Sequence, residues 1–189
     1  MKDPVVQDGD PVLRAKAKPV AVADITSPHI AKVIARMKKV LKGEDFGVAI
    51  AAPQIGESLR IFVVAGSVFE DKTAEKPVDG GSKETSEPDR VFINPVLSRL
   101  SRVKKEMSEG CLSVRGKYGT VMRHEKASLK AYDESGTLIS YNGTGLLGHI
   151  FQHECDHLDG ILYIDKTILI EEDVDLQSAR QKLKDNHGK

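Results

Sequence analysis

The chain has no excess of either charge: 28 Lys and Arg are matched by 28 Asp and Glu, for a formal net charge of zero. A balanced chain offers no basic face to a nucleic-acid backbone, so direct DNA binding is not expected. It has no long apolar run, which excludes a spanning helix and gives no reason to expect a membrane. The opening Met1-Lys2-Asp3-Pro4 lacks the apolar core of a secretory signal, so none is expected. Cysteine is scarce. Cys111 and Cys155 allow at most one disulfide, and one of them stands inside a candidate metal-binding string, which favours free thiols in a cytoplasmic protein. No internal repeat is visible. What is present, 189 residues with 40% hydrophobic and 30% charged content, suits one soluble globular domain over 1–189, expected as a monomer.

Ser27-Pro28 predicts a helix start, with serine as N-cap and proline at the first helical position. Ile30, Val33, Ile34, Met37 and Leu41 recur at helical spacing, and Gly43 supplies a C-cap. Gly47 to Ala52 reads as a buried strand or edge, and Arg60 to Ala65 as a strand. A polar loop is expected at about 70–90. Val91 to Leu97 reads as a strand interrupted at Pro95, and 102–108 and 120–132 look extended. The Asp133-Glu134-Ser135-Gly136 turn predicts a hairpin whose second strand is Thr137 to Tyr141. Thr144 to Leu158 predicts a second helix, closed by Gly160, with Gly145 and Gly148 allowing close packing on a sheet. Ile161 to Ile170 looks extended, and a polar helix is expected at 174–186 within a C-terminal segment at about 166–189. The fold class is α+β: mostly antiparallel strands around a central metal-binding helix.

That second helix carries Gln152-His153-Glu154-Cys155-Asp156-His157-Leu158, an H-E-x-x-H string. Two histidines four apart share a helix face, so both imidazoles can reach one metal ion, and the adjacent glutamate can take a proton from water. The third ligand decides the type of hydrolase. A third histidine six residues on is absent, since that position is Tyr163. Glu171 and Glu172 would supply a carboxylate only from beyond an extended stretch. Cys111, in Glu109-Gly110-Cys111-Leu112-Ser113, would give a thiolate with two imidazoles and leave one tetrahedral position open. On its residue type alone Cys111 reads better as a small buried apolar side chain. A Cys/His/His set by itself suggests zinc.

Three blocks in order carry a resemblance. Gly47 to Gly56 resembles G-x-G-x-A-A-x-Q, Glu109 to Ser113 is E-G-C-L-S, and Gln152 to Leu158 is Q-H-E-x-D-H-L. Together with Asp10 to Arg14, they resemble the peptide deformylases over roughly residues 4–165. The resemblance implies Cys111, His153 and His157 as metal ligands. The native metal would be Fe(2+), with Ni(2+) or Co(2+) as working substitutes and Zn(2+) a poor one. Glu154 would be general base and then proton donor to the departing amine, while Gln54 and the Leu112 N–H would hold the oxyanion. Val48 and Gly110 would offer main-chain groups to a substrate added as a strand. Leu146 and Ile150 would wall the methionine pocket, with His149 as pocket wall or hydrogen-bond donor behind the ligands. The implied activity is removal of the N-formyl group from the formyl-methionine of nascent polypeptides, releasing formate. The mixed charges of the C-terminal segment fit either a ribosome contact or a solvated face.

The chain departs from that pattern at Ala49, where the family has glycine, and at Arg115, where it often has proline. His149, one turn before His153, could also be read as a fourth ligand, although that would close the open catalytic position. Glu109 is paired with Arg123 in one reading, and Arg123 is a surface residue in the other. Cys155 points away from the histidines and reads as a packed thiol. Three functions stay open: a deformylase, a deformylase-like protein with altered substrate preference or a non-catalytic peptide-binding role, and a distinct H-E-x-x-H peptidase. The missing third histidine argues against the last.

Overall fold

The computed structural model describes residues 4–44, 47–70 and 87–172. The expected polar loop falls mostly, and the helix expected at 174–186 wholly, outside the described residues. The first helix, α1, runs Pro28–Lys42; the Ser27 hydroxyl accepts from the Ile30 N–H at 3.4 Å, and the whole apolar stripe is buried. Gly43 caps it with ordinary right-handed dihedrals (φ −80°), so the cap does not use the left-handed conformation that favours glycine.

Among the described residues eight strands follow: β1 Ala49–Ala51, β2 Ile61–Val64, β3 Arg90–Leu100, β4 Lys104–Cys111, β5 Val114–His124, β6 Lys126–Tyr132, β7 Leu138–Thr144 and β8 Thr167–Glu172. They form a five-stranded sheet in the order β1-β2-β3-β6-β7 and a three-stranded sheet in the order β4-β5-β8. Every strand pair is antiparallel. The second helix, α2, is Gly145–Leu158.

The β2 run Ile-Phe-Val-Val has no polar alternation because both faces of its sheet are covered. Ile61 and Val63 join the stripe of α1 in one apolar cluster; Phe62 and Val64 join Phe151 and Leu158 of α2 in another. The five-stranded sheet therefore lies between the two helices. Phe62 stacks on Phe92 at 4.8 Å between ring centroids, and Phe151 meets Phe92 edge-on at 5.5 Å. Helix α2 sits close enough for this because its first turn carries Gly148: a Cβ there would lie 2.8 Å from the Gly143 carbonyl oxygen of β7. It stops at Gly160, whose φ of 75° lets the chain turn back so that the Ile161 N–H bonds the Asp156 carbonyl at 2.9 Å.

Two expectations are modified by the structure. The interruption expected in β3 at Pro95 is a bulge, and the strand runs on to Leu100. Proline cannot donate to the ladder, so the pairing with β6 shifts register between Ile93 and Val96, and Asn94 takes a left-handed φ of 51°. The Asn94 amide compensates by bonding the N–H and C=O of Val20 at 2.8 and 2.7 Å, pinning the N-terminal segment. The stretches expected to be extended at 102–108 and 120–132 are so, in β4, β5 and β6, and β4 and β5 form a hairpin whose turn follows Cys111. The stretch from Ile161 to Ile170 is broken by a 3-10 turn, Tyr163–Asp165, before β8 pairs with β5.

Candidate active site

The β4–β5 hairpin places Cys111 at the last position of β4, facing two histidines one helical turn apart on α2. The Cys111 Sγ lies 3.2 Å from His157 Nε2. One potential ligand atom from each of Cys111, His153 and His157 falls within 4.8 Å of the others, and this trio could hold a metal ion. A thiolate with two imidazoles is a donor set that borderline divalent transition metals accept. Burial acts to push the Cys111 thiol up, but the facing His157 and His153 outweigh it and bring the thiol down to about 5. The thiolate form that binds metal is thus favoured by the fold itself.

Glu109 organises the ring orientations. One carboxylate oxygen accepts from His149 Nε2 at 2.6 Å and the other from His153 Nδ1 at 2.7 Å. A carboxylate only accepts, so His153 carries its proton on Nδ1 and keeps the Nε2 lone pair for a ligand. Arg123 grips the same carboxylate twice, at 2.6 and 3.0 Å, and reaches Asp156 at 2.5 Å. Asp156 in turn takes Lys166 at 2.7 Å. Burial alone would raise the Glu109 carboxyl, but the bonds from His149, His153 and Arg123 hold it well below the usual carboxylate range. Of the two readings of Arg123, the buried pair is the observed one, with Arg123 only 4% exposed.

A cavity of about 790 Å³ opens over this centre. Glu154, Gln54 and Leu112 line it, together with Cys111 and His153. So do Val48, Gly110, Leu146, His149 and Ile150. Every site residue expected from the sequence is therefore here, His157 through the metal-binding trio. The Glu154 carboxyl is almost fully buried, and that burial raises its pKa; among the described residues one of its oxygens has no partner. Gln54 has its amide orientation fixed: the Ala51 N–H bonds its oxygen at 2.9 Å, which turns its NH2 towards Cys111 Sγ (3.4 Å) and Ser113 Oγ (3.2 Å).

Strand β1 is an edge of its sheet. The Val48 carbonyl is already bonded inward to the Ala65 N–H at 2.9 Å. Antiparallel alternation then turns the N–H and C=O of Ala49, and not the Val48 C=O, to the open edge. The expectation moves by one residue. Ala49 does not have a positive φ, and its side chain packs in the cluster with α2, so alanine is accommodated without strain. His149 belongs to the Glu109 network and is not in the metal-binding trio. Cys155 is packed in the apolar core, where burial pushes its thiol up to about 12. Arg115, on the cavity wall, pairs with Glu44 at 2.9 Å.

Sequence reasoning missed the supports. The N-terminal segment, which reads as irregular, clamps both loops of the site. Val6 N–H bonds the Gln54 carbonyl, Asp8 N–H bonds the Ser113 carbonyl, and Gln7 donates to the Leu112 carbonyl at 3.1 Å. The Tyr163 ring stacks 6.4 Å from His153, and its hydroxyl donates to the Lys117 carbonyl at 2.9 Å. Asp156 was legible as part of Q-H-E-C-D-H-L, three residues after His153 and so within reach of the same helix face; main-chain clamps leave no such trace.

The polypeptide deformylase family model matches residues 2–173. Peptide deformylase 1A of Arabidopsis thaliana, a chloroplastic and mitochondrial protein, is 41% identical over 164 residues, 87% of this chain and 61% of that protein. The tomato (Solanum lycopersicum) peptide deformylase 1A is 38% identical over 86% of this chain and 58% of its own length. The chain thus spans about three-fifths of these plant relatives. Peptide deformylase of Halothermothrix orenii is 38% identical over 88% of this chain and 94% of its own. Among solved structures, Plasmodium falciparum peptide deformylase in complex with an inhibitor superposes with a TM-score of 0.70, at 31% identity over 96% of this chain and 97% of that one. The actinonin-bound class I type b enzyme of Acinetobacter baumannii gives 0.71 at 29% identity, over 86% and 96%. With the fold, the three motifs and most of the chain's length matched, this chain belongs to the peptide deformylase family.

Proposed function

We propose that this chain, as a single domain over 1–189, is a metal-dependent hydrolase that removes the N-formyl group from the formyl-methionine of nascent polypeptides and releases formate. The observation that carries the reading is the buried Glu154 carboxyl beside three converging ligand atoms of Cys111, His153 and His157. A divalent metal held by these residues supplies Lewis acidity, which polarises a carbonyl and acidifies water. Fe(2+) is the native metal by family resemblance, and Zn(2+), Ni(2+) or Co(2+) can replace it in a purified sample.

The residues of the chain do the rest. Glu154, with its pKa raised by burial, takes the proton of the attacking water and passes it to the departing amine. The Gln54 amide and the Leu112 N–H stabilise the negative charge that develops on the formyl oxygen. The substrate backbone lies between the open edge of β1 and Gly110, as an added strand. Leu146, Ile150 and the Val48 side chain close around the first side chain. Mixed charge beyond residue 166 suits a ribosome contact, and the protein works in the cytoplasm as a monomer.

The test is formate release from a formyl-methionyl tripeptide by anaerobically purified, metal-analysed protein, with the unformylated peptide as control. Cleavage of the control and no formate would replace this reading with a peptidase. Cys111→Ala is expected to lose metal and activity together; one tightly held metal per chain in that variant would sink the ligand set. Oxygen is expected to inactivate the iron form faster than a nickel form, because the thiolate then sits on a redox-active metal. Equal aerobic half-lives would remove iron as the labile centre.

A further inference from the structure

His149 and His153 are four apart on α2, and both bond Glu109, but through different nitrogens: Nε2 for His149 and Nδ1 for His153. The carboxylate can only accept, so His149 donates from Nε2, and an imidazole with its one proton there keeps a lone pair on Nδ1. Among the described residues Nδ1 makes no hydrogen bond, although the side chain lines the cavity. Its neighbours on that wall, Leu146 and Ile150, lie three positions before and one after it, and both are apolar. Beside these two apolar side chains the cavity therefore carries a ring nitrogen that is unpaired among the described residues.

We infer that His149 is a specificity-determining residue that sets the polarity of the pocket for the first substrate side chain and lets it take a methionine-sized side chain bearing an N–H donor, such as glutamine. This rests on the deformylase reading of the site. The methionine thioether cannot donate, so a bound methionine leaves Nδ1 unpaired or holding a water. The glutamine amide has nearly the same reach and can pair with it. A site that pairs a substrate N–H discriminates against analogues without one more strongly than an apolar site does.

The experiment compares kcat/KM for formyl-Gln-Ala-Ser and formyl-Met-Ala-Ser in the wild type, His149→Leu and His149→Gln, with metal content measured in each. Replacement by leucine removes the acceptor at similar volume. Replacement by glutamine restores a donor to Glu109 and an acceptor to the pocket. The Gln-to-Met ratio is expected to fall about tenfold or more in His149→Leu and to stay within about threefold of wild type in His149→Gln. The same ratio is read from the Kd of the unformylated peptides Gln-Ala-Ser and Met-Ala-Ser by calorimetry. This arm does not depend on turnover, so a chain that releases no formate would lose the deformylase reading while the pocket assignment is still decided. A ratio unchanged in His149→Leu overturns the proposal. Loss of metal in His149→Leu also overturns it, because His149 would then act through Glu109 on the ligands.

Discussion

His153 donates its Nδ1–H to Glu109 at 2.7 Å, and this bond selects which ring nitrogen is left to meet Cys111 and His157. Glu109 itself is buried and held by Arg123, so the orientation of a ligand carried on α2 is set by an ion pair on the three-stranded sheet. The three-stranded sheet is thus part of the site and not a peripheral flap.

Glu109→Gln is expected to weaken metal binding by roughly 10–100-fold, because a carboxamide is a poorer acceptor and can present its NH2 to the ring. Competition with a chromogenic chelator measures this directly. Metal affinity equal to wild type would mean that α2 packing alone fixes the His153 ring.

The same carboxylate shapes the acid limb of stability. Its folded pKa lies below the unfolded value, so between the two the unfolded chain binds a proton that the native chain does not. The stabilisation is complete above the ordinary carboxylate range, at about pH 4–5, and drains away as pH falls below it. In chelator-treated protein, urea unfolding from pH 5 to pH 3 should lose stability more steeply in wild type than in Glu109→Gln. Parallel slopes would count against the depressed carboxyl.

Glu154→Gln should keep the metal and lose turnover by on the order of a hundredfold or more, since the amide preserves shape but cannot accept the proton. The raised pKa of Glu154 adds a pH signature. Activity of the wild type should fall with decreasing pH at a point above the ordinary carboxylate range, as the base is protonated. Near wild-type turnover in the variant would assign proton transfer to another group.

How much of this was legible follows from where the information lies. The α1 stripe from Ile30 to Leu41 and the H-E-x-x-H string are local patterns at helical spacing, and both are found where the spacing puts them. The third ligand is forty-two residues from His153 in the chain, and only the match of Glu109 to Ser113 to a family block identified it. The bulge at Asn94 and the strand β8 depend on partners far away in sequence: the amide of Asn94 on Val20, and the pairing of Leu169 with Thr120. The main-chain bonds from Val6 and Asp8 to the site loops carry no side-chain signature at all. The shift of the outward-facing backbone from Val48 to Ala49 is a matter of strand phase, which a three-residue strand does not reveal by alternation.

Arg123 separates stability from metal affinity. Its guanidinium is 4% exposed and satisfies Glu109 and Asp156 together. Arg123→Met alone leaves the Glu109 carboxylate buried without its cation, and breaking such a pair on one side costs about 3–5 kcal/mol. Replacing both partners, as Glu109→Leu with Arg123→Met, removes the uncompensated charge but also takes the acceptor from His149 and His153, so only part of that loss should be recovered in urea unfolding of the metal-free protein. Metal affinity should not recover, because His153 Nδ1 then has no acceptor from Glu109. A double variant that regained both would show that the pair serves packing only. One that regained neither would show that the leucine and methionine cannot fill the space, and circular dichroism and the unfolding slope would register that as lost compactness.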